Sequence, residues 1–328
     1  MRIAFVYYNL SSFVRRDCEI LSRHFRVEKI MYRRPFDIVK IAASIWRSEI
    51  SFSWFASGHS FIAVLISKLL GKKSVVVAGG YDVAYAPEIG YGQYTQGWQK
   101  RIYADNALKH ADLVLAVSEF TKAEALSHVK PNRIEVIYNA VDTNKFRPAE
   151  AKENIVLTVA SGKINLIKLK GLDTFVKAAL LIPDARFIIL GLPDSDIRTL
   201  ESIRASNNVE LHGYLGQEEL IANYQKAKVY CQLSYRESFG VALAEAMACG
   251  CIPVVTEKAA LPEVVGDAGF YVPYGDPEST AKAIRLALRS DKGEGEKARD
   301  RVERYFEISK REEILVSIIE SLVREGRK

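Results

Sequence analysis

The chain has 328 residues, 48% apolar, 26% charged and 10% aromatic, with a mean hydropathy of −0.03. These values exclude a disordered, collagen-like or coiled-coil protein, and at roughly 150 residues per domain they predict two domains. The net charge of +6 is uneven: residues 1–150 carry 21 Lys/Arg against 14 Asp/Glu, residues 151–328 carry 25 against 26, so an anion-attracting field belongs to the first half.

The first residues, Met1 to Tyr7, lack a long apolar core and a small-residue cleavage site and do not read as a signal peptide. Short, β-branched apolar runs predict strands at Arg2–Tyr7, Arg26–Met31, Ile50–Trp54, Ser74–Ala78, Leu113–Val117 and Ile134–Tyr138. The most apolar stretch, Phe61 to Leu70, contains Lys68 and falls far short of the ~20 residues of a spanning helix. A polar stretch, Asn139 to Pro148, and the charged residues after it place a linker near 145–153. Strands resume at Ile155–Ala160, Arg186–Leu190, Val209–His212, Val229–Leu233 and Ile252–Thr256. Helical spacing separates them, as in Leu172, Phe175, Val176, Ala179 and Leu180, and Ser309 to Val323 reads as one amphipathic helix.

This alternation predicts an α/β protein with two Rossmann-like, doubly wound parallel-sheet domains facing a cleft. The expected domains are 1–148 and 149–308, with 309–328 as a C-terminal helix for which the first domain is one packing partner. Ligands of such sheets bind beyond the carboxyl ends of the strands. Cys18, Cys231, Cys249 and Cys251 show no metal-ligand spacing and fit small buried residues of a reducing cytosol.

Two stretches carry chemistry. The first runs from Ser234 through Glu237-Ser238-Phe239-Gly240-Val241 to Glu245 and Gly250, after a strand. A helix starting near Gly240 would aim the backbone N–H groups of Ser238, Phe239, Gly240 and Val241 at an anion. Glu237 and Glu245 would stand roughly 80° apart on one helix. With Glu237 in the turn and Glu245 on the helix, they can flank one ligand. The same pattern also fits an ordinary strand–turn–helix with surface glutamates. The second stretch is Ser161-Gly162-Lys163 to Lys170-Gly171. Two cations at the end of a strand can neutralise a diphosphate without metal, although a solvated basic loop fits equally.

Together these stretches resemble the retaining GT-B glycosyltransferases of family 4. Glu237 to Glu245 matches the E-x7-E motif, and Lys163 and Lys170-Gly171 fall where the family keeps a basic pair. Asn139-Ala140-Val141-Asp142 to Pro148 resembles the family's linker, with Ala140 in place of Gly. Ala116-Val117-Ser118 and His212-Gly213-Tyr214 are also similar to family segments. The resemblance implies a metal-independent hexosyltransferase that uses a nucleotide diphosphate sugar. Glu245 would hold the ribose and Glu237 the donor sugar. Ser238 to Val241 would bind the distal phosphate through backbone N–H, alongside Gly162. Lys163 and Lys170 would neutralise the diphosphate, and Tyr214 would lie near the base.

The implied partners are a UDP- or GDP-sugar donor and a glycan, lipid-linked or small anionic acceptor. The basic first half suits a cytoplasmic protein with peripheral contact at the inner membrane face. No nucleic-acid motif is visible. A non-catalytic nucleotide or polysaccharide binder, an epimerase and a phosphorylase are the alternatives.

The sequence departs from the family in its first domain. The loop Tyr8 to Arg16 has no glycine, so either Ser11 and Ser12 supply contacts, cap a helix, or the loop faces the acceptor. In Gly79-Gly80-Tyr81-Asp82 the family's His is Gly79, which leaves Asp82 as the acceptor-side polar candidate. Tyr85 to Tyr94 reads as a flexible acceptor loop. Asp194-Ser195-Asp196 has a metal-binding form but fits a helix cap, and His59 fits a helix start.

Overall fold

A computed structural model describes residues 1–149, 151–160, 166–203 and 207–326, without the side chain of Ile203. The chain divides into two compact units, one of Met1–Ala140 with Ser309–Lys328 and one of Val141–Ile308.

In the first unit six parallel strands, β1 (Arg2–Tyr7), β2 (Arg26–Met31), β3 (Ile50–Trp54), β4 (Lys73–Ala78), β5 (Leu113–Ala116) and β6 (Ile134–Val136), pair in the order β2-β1-β3-β4-β5-β6. Helices α1 (Ser12–His24), α2 (Asp37–Trp46), α3 (Gly58–Leu69), α4 (Trp98–His110) and α5 (Glu119–His128) connect them. Strands β1, β3, β4 and β5 are buried almost throughout, which is why their sequences are apolar runs rather than alternating patterns. Ser118 caps α5 by accepting from the Thr121 amide at 3.0 Å.

The second unit holds β7 (Glu153–Val159), β8 (Arg186–Leu190), β9 (Val209–Leu211), β10 (Ala227–Gln232), β11 (Ile252–Thr256) and β12 (Phe270–Val272), in the order β12-β11-β10-β7-β8-β9. Its helices are α6 (Leu166–Lys170), α7 (Leu172–Leu180), α8 (Asp194–Ile203), α9 (Gln217–Lys226), α10 (Val241–Ala248), α11 (Leu261–Val265), α12 (Pro277–Arg289) and α13 (Lys292–Tyr305). Both sheets are wholly parallel, so each unit is the expected Rossmann-like domain. The strand order reverses direction between β1 and β3 in the first unit and between β7 and β10 in the second. β12, a three-residue edge strand, has too short an apolar run to be read from the sequence. All four cysteines are buried thiols.

The expected boundary at 148/149 falls later than the division seen at 140/141, because 141–148 packs into the second unit. The Val141 amide donates to the Phe306 carbonyl at 2.8 Å, and the Ile308 amide returns to Val141 O at 3.0 Å. Phe146 is buried beside Tyr224. Arg299 of α13 donates to the carbonyls of Thr143, Phe146 and Ala248 at 3.3, 3.2 and 2.6 Å.

The helix Ile308–Glu325, α14, is tied into the first unit by a buried charge pair. Arg311 Nε and Nη2 donate to the two carboxylate oxygens of Asp17 at 2.7 and 2.8 Å, and Nη1 donates to the carbonyls of Ile137 and Tyr138. Trp54 Nε1 adds a third donor to Asp17 at 3.0 Å. Replacing Arg311 with Ala strands a buried carboxylate, a loss of about 3–5 kcal/mol. Urea unfolding should show that loss, and Arg311→Met combined with Asp17→Leu should recover most of it.

Candidate functional site

The order reversal of the second sheet opens its crevice at the carboxyl ends of β7 and β10. Gly162 and Lys163, in the segment after β7, lie outside the described residues. The next segment, 166–171, is pressed onto the turn after β10. The Tyr235 amide donates to the Leu169 carbonyl at 2.9 Å, and the Tyr274 hydroxyl donates to Lys168 O at 2.6 Å. Gly171 takes a left-handed backbone, φ 63°, and a Cβ there would run into the Leu233 carbonyl. Only glycine allows both that turn and that approach.

This contact brings Lys170 to Glu237. The Lys170 ammonium and Glu237 Oε1 form an ion pair, with side chains 16% and 14% exposed. The same oxygen accepts from Gln232 Nε2 at 2.9 Å and from the Ser234 hydroxyl at 3.0 Å. Gln232 Nε2 also donates to Ser234 Oγ at 2.7 Å, while its Oε1 accepts from the Tyr230 hydroxyl at 3.1 Å. Thr256, at the end of β11, donates to the Ser234 carbonyl at 2.6 Å and fixes the turn. A largely buried ion pair persists when further hydrogen bonds compensate its desolvation, and here two neighbouring polar side chains, Gln232 and Ser234, do so.

The turn then enters α10. Gly240 is its N-cap, at φ 93°. Glycine brings no side-chain oxygen to the first helical turn, whose N–H groups have no acceptor within the helix. Their partial positive charge therefore sits at the same crevice as Lys170. Glu237 precedes the helix and Glu245 lies buried in its second turn. Burial, with the Glu237 and Glu245 charges adding, pushes the Tyr230 hydroxyl well above its usual range. Phe239 is core, its ring edge-on to Phe306 at 5.1 Å. Tyr214 is 87% exposed.

The structure thus joins Lys170, Glu237, Gly240 and Val241 around one turn. The sequence reading missed Gln232, Ser234 and Thr256. Gln232 and Thr256 end strands beside the motif and Ser234 opens the motif's own stretch, which was the available signal. Asp194 and Asp196 open α8, where the Asp196 amide donates to the Pro193 carbonyl. Among the described residues no group of three or more His, Cys, Asp or Glu side chains is placed to hold a metal ion.

In the first unit the candidate residues serve local structure. Asp82 is buried, and its oxygens accept from the Ala56 amide at 2.6 Å and the Gly80 amide at 2.8 Å, so it ties two turns together. Tyr85 to Tyr94 is a pinned turn, not a flexible loop. Ala86 and Tyr91 exchange backbone hydrogen bonds, and buried Tyr94 stacks on His128 at 3.6 Å and donates to Asp105 at 2.5 Å. Ser11 is the N-cap of α1 without a capping bond, and its hydroxyl has no partner among the described residues. His59 sits buried in the first turn of α3, where desolvation lowers its pKa to about 4.

The profile described as "Glycosyl transferases group 1" matches residues 141–306, and that described as "Glycosyltransferase Family 4" matches 6–145. The chain belongs to the glycosyl transferases group 1 family. It is 26% identical over 245 residues to a phosphatidylinositol N-acetylglucosaminyltransferase subunit from Arabidopsis thaliana, covering 70% of this chain and 53% of that protein. It is 31% identical over 202 residues to the GDP-mannose:cellobiosyl-diphosphopolyprenol alpha-mannosyltransferase of Xanthomonas campestris, covering 59% and 52%. The chain therefore spans about half the length of these two relatives. HepE (Alr3699) of Anabaena, solved with UDP, shares the fold at a TM-score of 0.79 and 16% identity, covering 98% of this chain and all of that one. It has also been solved with UDP-glucose.

Asp82 carries a pH signature. Burial raises its carboxyl to about 6. A carboxyl raised in the folded state stabilises fully below its unfolded pKa, and that contribution disappears as pH rises through 6. At 1.36 kcal/mol per unit, the protein should lose roughly 2 kcal/mol between pH 4 and 7 that Asp82→Asn does not lose. Urea midpoints of the two proteins across that range measure the difference.

Proposed function

We propose that this chain moves a sugar, with retention of anomeric configuration and without metal, from a nucleoside diphosphate sugar to an acceptor. The observation that carries the reading is the placement of Lys170, Glu237 and the α10 N-terminus around one turn at the order reversal of the second sheet. A nucleoside diphosphate is already a good leaving group, so the enzyme's main task is to stabilise charge on the departing phosphates. A fixed lysine and a helix start do this without reorganisation.

In this reading Lys170, with Lys163, neutralises the diphosphate, and the amides from Ser238 to Val241 bind its distal phosphate beside Gly162. Glu237 takes the donor-sugar hydroxyls and Glu245 the ribose hydroxyls, because an ionised carboxylate accepts from two O–H donors. Tyr214, exposed beyond β9, meets the base. Attack on the front face of the sugar accounts for retention with no covalent glycosyl-enzyme.

The UDP and UDP-glucose complexes of HepE support a UDP-sugar, and the Xanthomonas relative's name supports GDP-mannose. The acceptor is a glycan, a lipid-linked sugar or a small anion, met by the basic first unit. The protein acts in the cytoplasm, in peripheral contact with the inner membrane face.

Calorimetry and turnover test the roles separately. Glu245→Ala should weaken nucleotide binding by about 1.5–3 kcal/mol, the worth of a hydrogen bond to a charged group. Lys170→Ala should reduce kcat more than nucleotide affinity, and activity should survive EDTA. Unchanged affinity in Glu245→Ala, or full turnover in Lys170→Ala, overturns the assignment of that residue.

A further inference from the structure

Helix α2 is apolar on two opposite faces. Its inner face puts Ile41 and Ile45 into the core with Ala4, Val6 and Ala63. At 100° per residue, Phe36, Val39, Ala43 and Trp46 fall within about 80° on the other side. There Phe36 is 84% exposed, Val39 71% and Trp46 70%. Exposed apolar side chains are ordinary when scattered, but a stripe of large ones marks a binding surface. On neighbouring α3, Leu69 is exposed as well.

The segment carrying the stripe is basic. Arg33, Arg34, Lys40 and Arg47 are exposed, against the single acid Asp37. One Asp37 oxygen accepts the Arg33 and Arg34 amides at 2.9 Å each, and the other pairs with Lys40 at 2.9 Å. Arg47 pairs with Glu28 at 2.6 Å. An apolar stripe with lysine and arginine beside it and an aromatic residue at each end is the pattern of a helix lying in a membrane interface. Among the described residues no helix is long and apolar enough to cross a membrane. A second copy of this face would oppose like charge to like charge, whereas an anionic bilayer complements it.

We propose that the outer face of α2 seats the first unit on an anionic lipid surface. Phe36, Val39 and Trp46 enter the interfacial layer, and Arg33, Arg34, Lys40 and Arg47 lie at headgroup level. This deepens the membrane contact proposed above by naming the surface that makes it.

Co-sedimentation of the full chain with phosphatidylcholine vesicles, with and without about 30 mol% phosphatidylglycerol, tests it. Binding should require the anionic lipid and be accompanied by a blue shift of tryptophan fluorescence that Trp46→Phe removes. The triple variant Phe36→Ser, Val39→Ser, Trp46→Ser should bind at least tenfold more weakly, with unchanged thermal unfolding because these side chains are exposed. Arg33→Gln with Arg34→Gln should cost on the order of tenfold on anionic vesicles. If the triple variant sediments like its parent, this surface is wrong although membrane contact stands. If the parent does not bind anionic vesicles, both fail. A parent dimer that the triple variant dissolves assigns the face to self-association and overturns the proposal.

Discussion

One carboxylate oxygen organises the candidate site. Glu237 Oε1 takes the Lys170 ammonium, the Gln232 amide and the Ser234 hydroxyl together. Those donors come from three places in the chain: the end of α6, the last residue of β10 and the turn after it. Withdrawing the oxygen leaves a largely buried ammonium and two polar groups to find new partners, a loss of several kcal/mol. The two segments at the order reversal are therefore held at a fixed separation before any ligand arrives. Gly171 makes this possible, because a side chain there would push the segment off the Leu233 carbonyl. A lysine held in this way has lost its rotamer freedom on folding rather than on binding.

The two units are closed by the same device, each within itself. An arginine on a late helix gathers main-chain carbonyls from the chain near the division at 140/141. In the first unit Arg311 holds Ile137 and Tyr138 and is neutralised by Asp17. In the second Arg299 holds Thr143 and Phe146 and pairs with Glu303. The planar guanidinium, with several donors in a fixed fork, satisfies carbonyls that no strand or helix claims. The division is sharp because neighbouring stretches of chain are claimed by different arginines.

This also explains what the sequence could and could not convey. Parallel strands buried on both faces, such as β1, β3, β4 and β5, leave continuous apolar runs, and eleven strands were legible in the sequence, while β12, three residues at an edge, was not. The Glu237–Gly240 turn was legible because Gly240 and the alanine-rich helix after it have few other uses. Its supporting shell was not: Gln232, at the end of β10, and Ser234, in the turn, are ordinary residues whose importance lies in sharing Glu237 Oε1 with Lys170, a residue 67 positions before that glutamate. The boundary shifted for a similar reason. Polar residues from Asn139 to Pro148 resemble a linker, and only the partners of Val141, Phe146 and Arg299 reveal them as part of the second unit. The hydrogen bonds that Asp82 and the Tyr85–Tyr94 turn make with backbone groups were not legible either, since polar and aromatic residues after a strand serve turn geometry as readily as a ligand.

The new division also changes the charge argument. The first unit carries 24 Lys/Arg against 16 Asp/Glu and the second 22 against 24, a wider contrast than the halves of the sequence suggested. A near-neutral second unit is compatible with anion binding, because a single fixed lysine and a helix start act at contact distance, where a general field adds little. A diffuse positive charge does something else. At physiological salt the Debye length is about 8 Å, so the first unit's excess is felt only by a surface already close to it. Such charge can orient the approach and select an anionic partner, but its hold weakens as salt rises. Apolar contact is insensitive to that screening. In the proposed seating, the outer face of α2 would supply both terms on one short segment: four basic side chains for approach, of which Lys40 and Arg47 already face Asp37 and Glu28, and three large apolar ones for residence. That pairing is what separates a membrane-seating surface from a merely basic one.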